Sequence, residues 1–101
     1  MLEKNIVLPI NEIQALCRRY PIHKLSLFGS VLRDDFTPDS DIDMLVEFEP
    51  GARISYFDLA SLQLDLRAML GRDVDIGTPA MLSQHIRSQV LKDAQVIYER
   101  G

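Results

Sequence analysis

Three aspartates carry the first chemical signal in this sequence. In residues 41–49, Ile42, Met44, Val46 and Phe48 alternate with Asp41, Asp43, Glu47 and Glu49, and Leu45 is the one exception. Alternation with period 2 predicts a strand buried on one face, so the carboxylates of Asp41 and Asp43 project from one side, about 6–7 Å apart at the Cα level. That spacing suits shared binding of a divalent cation by oxygen ligands. A strand with a solvated face also commonly carries acids, and the pair alone leaves both readings open. Asp75, framed by Val74 and Ile76 in a short strand that ends at Gly77, adds a third carboxylate. Three acids converging on one side of a sheet repel one another unless cations neutralise them. Two Mg²⁺ ions about 3.5–4 Å apart, bridged by carboxylates and nucleotide phosphates, turn such a cluster to phosphoryl chemistry. A calcium loop starting at Asp39 is excluded, because its sixth position is Met44 instead of Gly and its twelfth is Pro50 instead of Glu.

Gly29-Ser30 closes the short apolar run Lys24 to Phe28, and Val31 to Arg33 can begin a helical turn behind it. Backbone N–H groups at such a junction can line an anion site, although an ordinary turn is the plainer reading. His23 and His85 have no carboxylate or histidine at ligand spacing and read as structural or surface residues. Cys17, the only cysteine, reads as a small buried apolar residue, with no internal disulfide or cysteine cluster for zinc available to it.

These groups need a framework to hold them. Asn11 can cap a first helix running to about Tyr20, with Ile13, Leu16 and Cys17 on one side, ended by Pro21. Ser55 and Asp58 form a capping-box pattern, and Tyr56 to Leu70 has no Gly or Pro before Gly71, which predicts a helix of about four turns. One stripe of that helix is Leu59, Leu62, Leu66, Met69 and Leu70; a second, on the far side, is Phe57, Ala60, Leu64 and Ala68. The second stripe must be covered either by the C-terminal segment around Ile86, Val90 and Leu91 or by another chain. Thr78 and Pro79 suit the start of a further helix, and Gln95 to Glu99 reads as a last strand. The expected fold class is α/β (α+β), a small mixed sheet with helices packed on it, within a single domain over residues 1–101.

The run Leu27-Phe28-Gly29-Ser30-x-x-Arg33, followed by Asp39-Ser40-Asp41-Ile42-Asp43-Met44-Leu45-Val46, resembles the signature of the minimal nucleotidyltransferases of the DNA polymerase β-like superfamily. The likeness extends through Gly71-Arg72-x-Val74-Asp75-Ile76 and Thr78-Pro79. It implies the polymerase β-like fold, with Asp41 and Asp43 as ligands of both metal ions and Asp75 as the third carboxylate, which helps to activate the attacking hydroxyl. Gly29 and Ser30 would hold the triphosphate. Arg33 would neutralise charge on the leaving pyrophosphate, or else pair with Asp34, Asp35 or Asp39, which read as loop and cap residues. The implied reaction is Mg²⁺-dependent transfer of AMP from ATP to a hydroxyl. By the same likeness, the acceptor is a tyrosine of a helical HEPN toxin and this chain is its antitoxin. Two rivals stay open: a binding module that blocks a toxin by contact alone, and a transferase acting on a small molecule.

With a net charge of −4 and a pI near 5, the chain has no global basic field, which argues against nucleic acid as a direct partner. No apolar run approaches the ~20 residues of a membrane span. The expectation is a soluble protein of the cytoplasm, with a homodimer left open.

Overall fold

The computed structural model describes residues 5–100. Helix α1 (Ile10–Arg19) precedes strand β1 (Ile22–Phe28), a 3-10 turn (Gly29–Leu32) and strand β2 (Ile42–Phe48). Helix α2 (Tyr56–Leu70), strand β3 (Val74–Gly77), a second 3-10 turn (Pro79–Met81), helix α3 (Gln84–Asp93) and strand β4 (Gln95–Glu99) follow. The four strands form one mixed sheet in the order β3-β2-β1-β4, with β1 antiparallel to β2 and β4, and β2 parallel to β3. This is the α+β architecture expected.

Each element follows from local chemistry. The side chain of Ser55 accepts from the backbone N–H of Asp58, while the Asp58 carboxylate accepts from the Ser55 N–H, so α2 begins with a closed capping box. Gly71 ends α2 with φ +69°, a left-handed turn that glycine adopts without steric cost. Two boundaries differ from expectation. Asn11 lies inside α1, whose N-cap is Pro9, and no side chain caps that end. Thr78-Pro79 opens only the 3-10 turn Pro79–Met81, and α3 starts afterwards at a cap made by Ser83, whose hydroxyl accepts from the His85 N–H.

The apolar face of the sheet carries Leu25, Leu27, Ile42, Met44, Val46, Val74 and Ile76, all buried, and α1 and α2 cover it through Ile13, Leu16, Leu62 and Leu66. Cys17 is buried among them, and burial pushes its thiol pKa up to about 11, so it stays a neutral packing residue. The second stripe of α2 is not covered: Phe57 is 85% and Leu64 61% exposed, and Ile86 and Leu91 of α3 are themselves exposed. The C-terminal segment therefore does not pack on it. The other face of the sheet holds the acids, and Leu45, the odd member of the alternation, is buried there at 2% exposure with the Pro79–Met81 turn beside β2.

Candidate active site

Strand register brings the expected residues into one row. Phe28 of β1 pairs with Asp43 of β2, and Asp43 pairs with Asp75 of β3. Partners on adjacent strands project to the same face about 5 Å apart, so the two carboxylates face each other across the β2–β3 pair. Asp41 stands one residue before β2, exposed at its entrance. Asp43 is half-buried, and its carboxyl pKa is raised above the ordinary 3.8, first by burial and then by the charges of Asp75 and Asp41, with Arg33 opposing. The three acids thus share one electrostatic field. Among the described residues they do not close a cage of three or more side chains around a metal ion.

Gly29 leads out of Phe28 with φ +77°, and a methyl group at that position would overlap the Asp43 carboxylate. Glycine is required there twice over, by the backbone turn and by the close approach of the acid. The Gly29–Leu32 turn is fixed from the N-terminal side, because the Asn5 side-chain amide donates to the carbonyls of Val31 (2.6 Å) and Arg33 (2.8 Å). Arg33 pairs with Asp35 at 3.1 Å on the surface, as one reading anticipated, yet its charge still acts on Asp43 and its side chain borders the cavity beside Gly29.

Sequence reasoning gave no role to Arg72, although it lies in the motif before Asp75. Its guanidinium donates to the carbonyls of Thr37, Pro38 and Ser40 at 2.8–3.0 Å and stacks on the Phe36 ring at 4.6 Å. That one group gathers the loop that delivers Asp41. Two cavities flank the row of acids. The larger, about 780 Å³, runs from Phe28, Gly29 and Arg33 to the wall of α3; the smaller, about 250 Å³, lies on the opposite flank against Asp75, Gln63, Tyr56 and Met81. His85, read as a surface residue, is exposed and lines the larger cavity. His23 lies away from the acids, its Nδ1 3.5 Å from Glu49.

The sequence pattern of the nucleotidyltransferase domain matches residues 12–97. The chain belongs to that family. This nucleotidyltransferase is 34% identical over 89 residues to a Methanocaldococcus jannaschii protein provisionally named a protein adenylyltransferase, covering 84% of this chain and 94% of that one. It is also 34% identical over 83 residues to the protein adenylyltransferase MntA of Thermococcus cleftensis, covering 82% and 80%. Its fold matches a crystal structure of a toxin–antitoxin with AMP-PNP at a TM-score of 0.73, with 24% identity over 92% of this chain and 75% of the other. The family and these relatives make the nucleotidyltransferase an enzyme, and its fold matches the structure of a provisionally named minimal nucleotidyltransferase at a TM-score of 0.71, with 39% identity over 84% of this chain and 85% of the other.

Proposed function

We propose that this nucleotidyltransferase transfers AMP from ATP to a tyrosine hydroxyl of a HEPN-type toxin and so acts as its antitoxin, in a Mg²⁺-dependent reaction. The observation that carries the reading is the row Phe28–Asp43–Asp75 with Gly29 packed against the Asp43 carboxylate. Carboxylates and a phosphate-binding turn in contact are what in-line transfer between a triphosphate and an acceptor needs. The hard oxygen donors of Asp41, Asp43 and Asp75 fit Mg²⁺, and the Asp43 pKa, raised first by burial and then by the charges of Asp75 and Asp41, leaves a carboxylate whose ionised form a cation would favour. When bound, Mg²⁺ supplies neutralisation of the triphosphate and of the three acids.

The chain's own residues do the rest. Gly29 and Ser30 orient the triphosphate through backbone N–H groups, and Arg33 faces the charge of the departing pyrophosphate. The acceptor approaches on the Asp75 flank. Its hydroxyl oxygen bonds to the α-phosphorus, the bond from that phosphorus to the α,β-bridging oxygen breaks, and the hydroxyl proton passes to Asp75. The smaller cavity beside Asp75 supports an acceptor carried by another molecule, with Tyr56 and Met81 exposed at its rim. The relatives named as adenylyltransferases and the toxin–antitoxin structures of this fold favour a protein acceptor.

Incubation with ATP labelled at the α-phosphate, with and without a HEPN-type toxin protein, tests the reading. Label should appear on the toxin with Mg²⁺ present. Asp75→Asn should keep nucleotide binding but lose most of the rate, since its role lies in the chemical step. Full-rate labelling by the Asp43→Asn, Asp75→Asn double variant would refute the proposal.

A further inference from the structure

The smaller cavity brings one carboxylate and one hydroxyl to the same space. Of the side chains around its volume of about 250 Å³, Asp75 alone is acidic and Tyr56 alone carries a hydroxyl, and most of the rest are apolar. Both groups stand on fixed frames. Tyr56 is the first residue of α2, placed by the capping box of Ser55 and Asp58. The Gln63 side-chain oxygen accepts from the Ile76 N–H at 3.0 Å, which ties that helix to the strand bearing Asp75. The chain has three tyrosines, and their surroundings separate them. Tyr20 donates its hydroxyl to Asp65 at 2.9 Å and lies 3.1 Å from the Ser61 hydroxyl. Tyr98 is on β4, at the edge of the sheet opposite β3, and its phenol oxygen accepts from Arg100 at 3.4 Å. Tyr56 is 81% exposed, and its hydroxyl makes no hydrogen bond among the described residues.

An exposed tyrosine at a helix start is ordinarily no more than a solvated residue. This one borders a cavity whose one carboxylate is the proton acceptor of the reaction proposed above. The geometry points to Tyr56 as an acceptor in its own right: the chain adenylylates its own Tyr56. The inference rests on the transfer reading and adds a second acceptor, inside the enzyme. The Tyr56 oxygen bonds to the α-phosphorus of ATP, the bond from that phosphorus to the α,β-bridging oxygen breaks, pyrophosphate leaves, and the phenol proton passes to Asp75. Nucleophile and base belong to one chain, so the step has the advantage of an intramolecular reaction and needs no second protein.

The test is incubation of the whole chain alone with Mg²⁺ and ATP labelled at the α-phosphate, read by intact mass and peptide mapping, beside a second incubation that adds a HEPN-type toxin. Wild type should gain one adenylyl group, mapped to Tyr56, at a rate per molecule that does not change with protein concentration. Tyr56→Phe should lose that group, while its affinity for ATP with Mg²⁺, measured by titration calorimetry, stays that of wild type. The position is exposed and the ring is kept, so its circular dichroism should superpose on that of wild type. Asp75→Asn should lose the group as well, through the chemical step. Label on Tyr56 with none on the toxin upholds the inference and removes the toxin as acceptor. If the toxin is labelled while the chain stays unmodified, or the chain's label maps away from Tyr56, the inference falls and the transferase reading stands. A rate per molecule that climbs with protein concentration moves the acceptor to another copy and overturns the intramolecular step. If neither protein is labelled, both readings fall.

Discussion

Asp43 is where the field of the site converges, since burial and two neighbouring carboxylates all oppose its ionisation. The sign of the linkage follows directly. A carboxyl whose pKa is higher folded than unfolded adds stability below its ordinary 3.8, and that stability is lost as pH rises through the folded value. At neutral pH the ionised Asp43 therefore weighs against the metal-free fold. Asp43→Asn is expected to melt above wild type at pH 7 without Mg²⁺, the difference shrinking as pH falls, while labelling of the toxin drops at least about 100-fold. Scanning calorimetry at several pH values and the labelling assay read the two effects. A variant that melted below wild type at pH 7 would contradict the electrostatic account. The Asp-x-Asp spacing made this residue legible in the sequence. The part played by Arg72 was not, because the three carbonyls it gathers come from a loop more than thirty residues away in sequence and meet it only in the folded chain.

The elements were legible to different degrees, and the reasons are physical. Helix α2 was predicted from Tyr56 to Leu70 and is found there, because a capping box and a C-terminal glycine are local signals that tertiary packing does not override. The start of α3 was misplaced at Thr78-Pro79, because proline suits the first turn of a 3-10 and an α-helix equally, and the true cap at Ser83 lacks the acidic partner of a capping box. What covers the second stripe of α2 depends on long-range packing and could not be read locally. Since Leu64 is exposed, Leu64→Asp should change stability by no more than about 0.5 kcal/mol, whereas Leu66→Ala, in the core, should cost about 2–5 kcal/mol. Urea melts of the two variants make the comparison, and a collapsed transition for Leu64→Asp would place that stripe in the core. The loop before β2 gives a second prediction. Arg72 ties three of its carbonyls to one guanidinium, so Arg72→Ala should cost about 1–3 kcal/mol and, by releasing Asp41, lower the transfer rate more than the loss of stability accounts for. Equal transfer rates in Arg72→Ala and wild type at a temperature where both are folded would remove that role.

At the scale of the whole molecule, the fold separates what keeps it folded from what makes it react. The core lies on one face of the sheet under α1 and α2, and the acids lie on the other, with no cage of three or more metal-ligating side chains among the described residues. Removing divalent metal with a chelator should accordingly lower the melting temperature of the nucleotide-free protein only slightly. Nucleotide binding should depend on metal completely. The acids already carry more like charge than Arg33 offsets, the chain as a whole is at −4, and a triphosphate entering beside Gly29 adds several more negative charges. ATP without Mg²⁺ is expected to give no thermal shift, and Mg²⁺ without ATP at most a small one. Together, at about 100 times the dissociation constant, they should add ~2.7 kcal/mol, a rise on the order of 10 °C or more for a domain of this size. Differential scanning fluorimetry across the four combinations, plus and minus each component, measures this coupling directly. The same full shift from ATP in the presence of chelator would mean that the phosphates are held by backbone and arginine alone, and the three aspartates would then need another role.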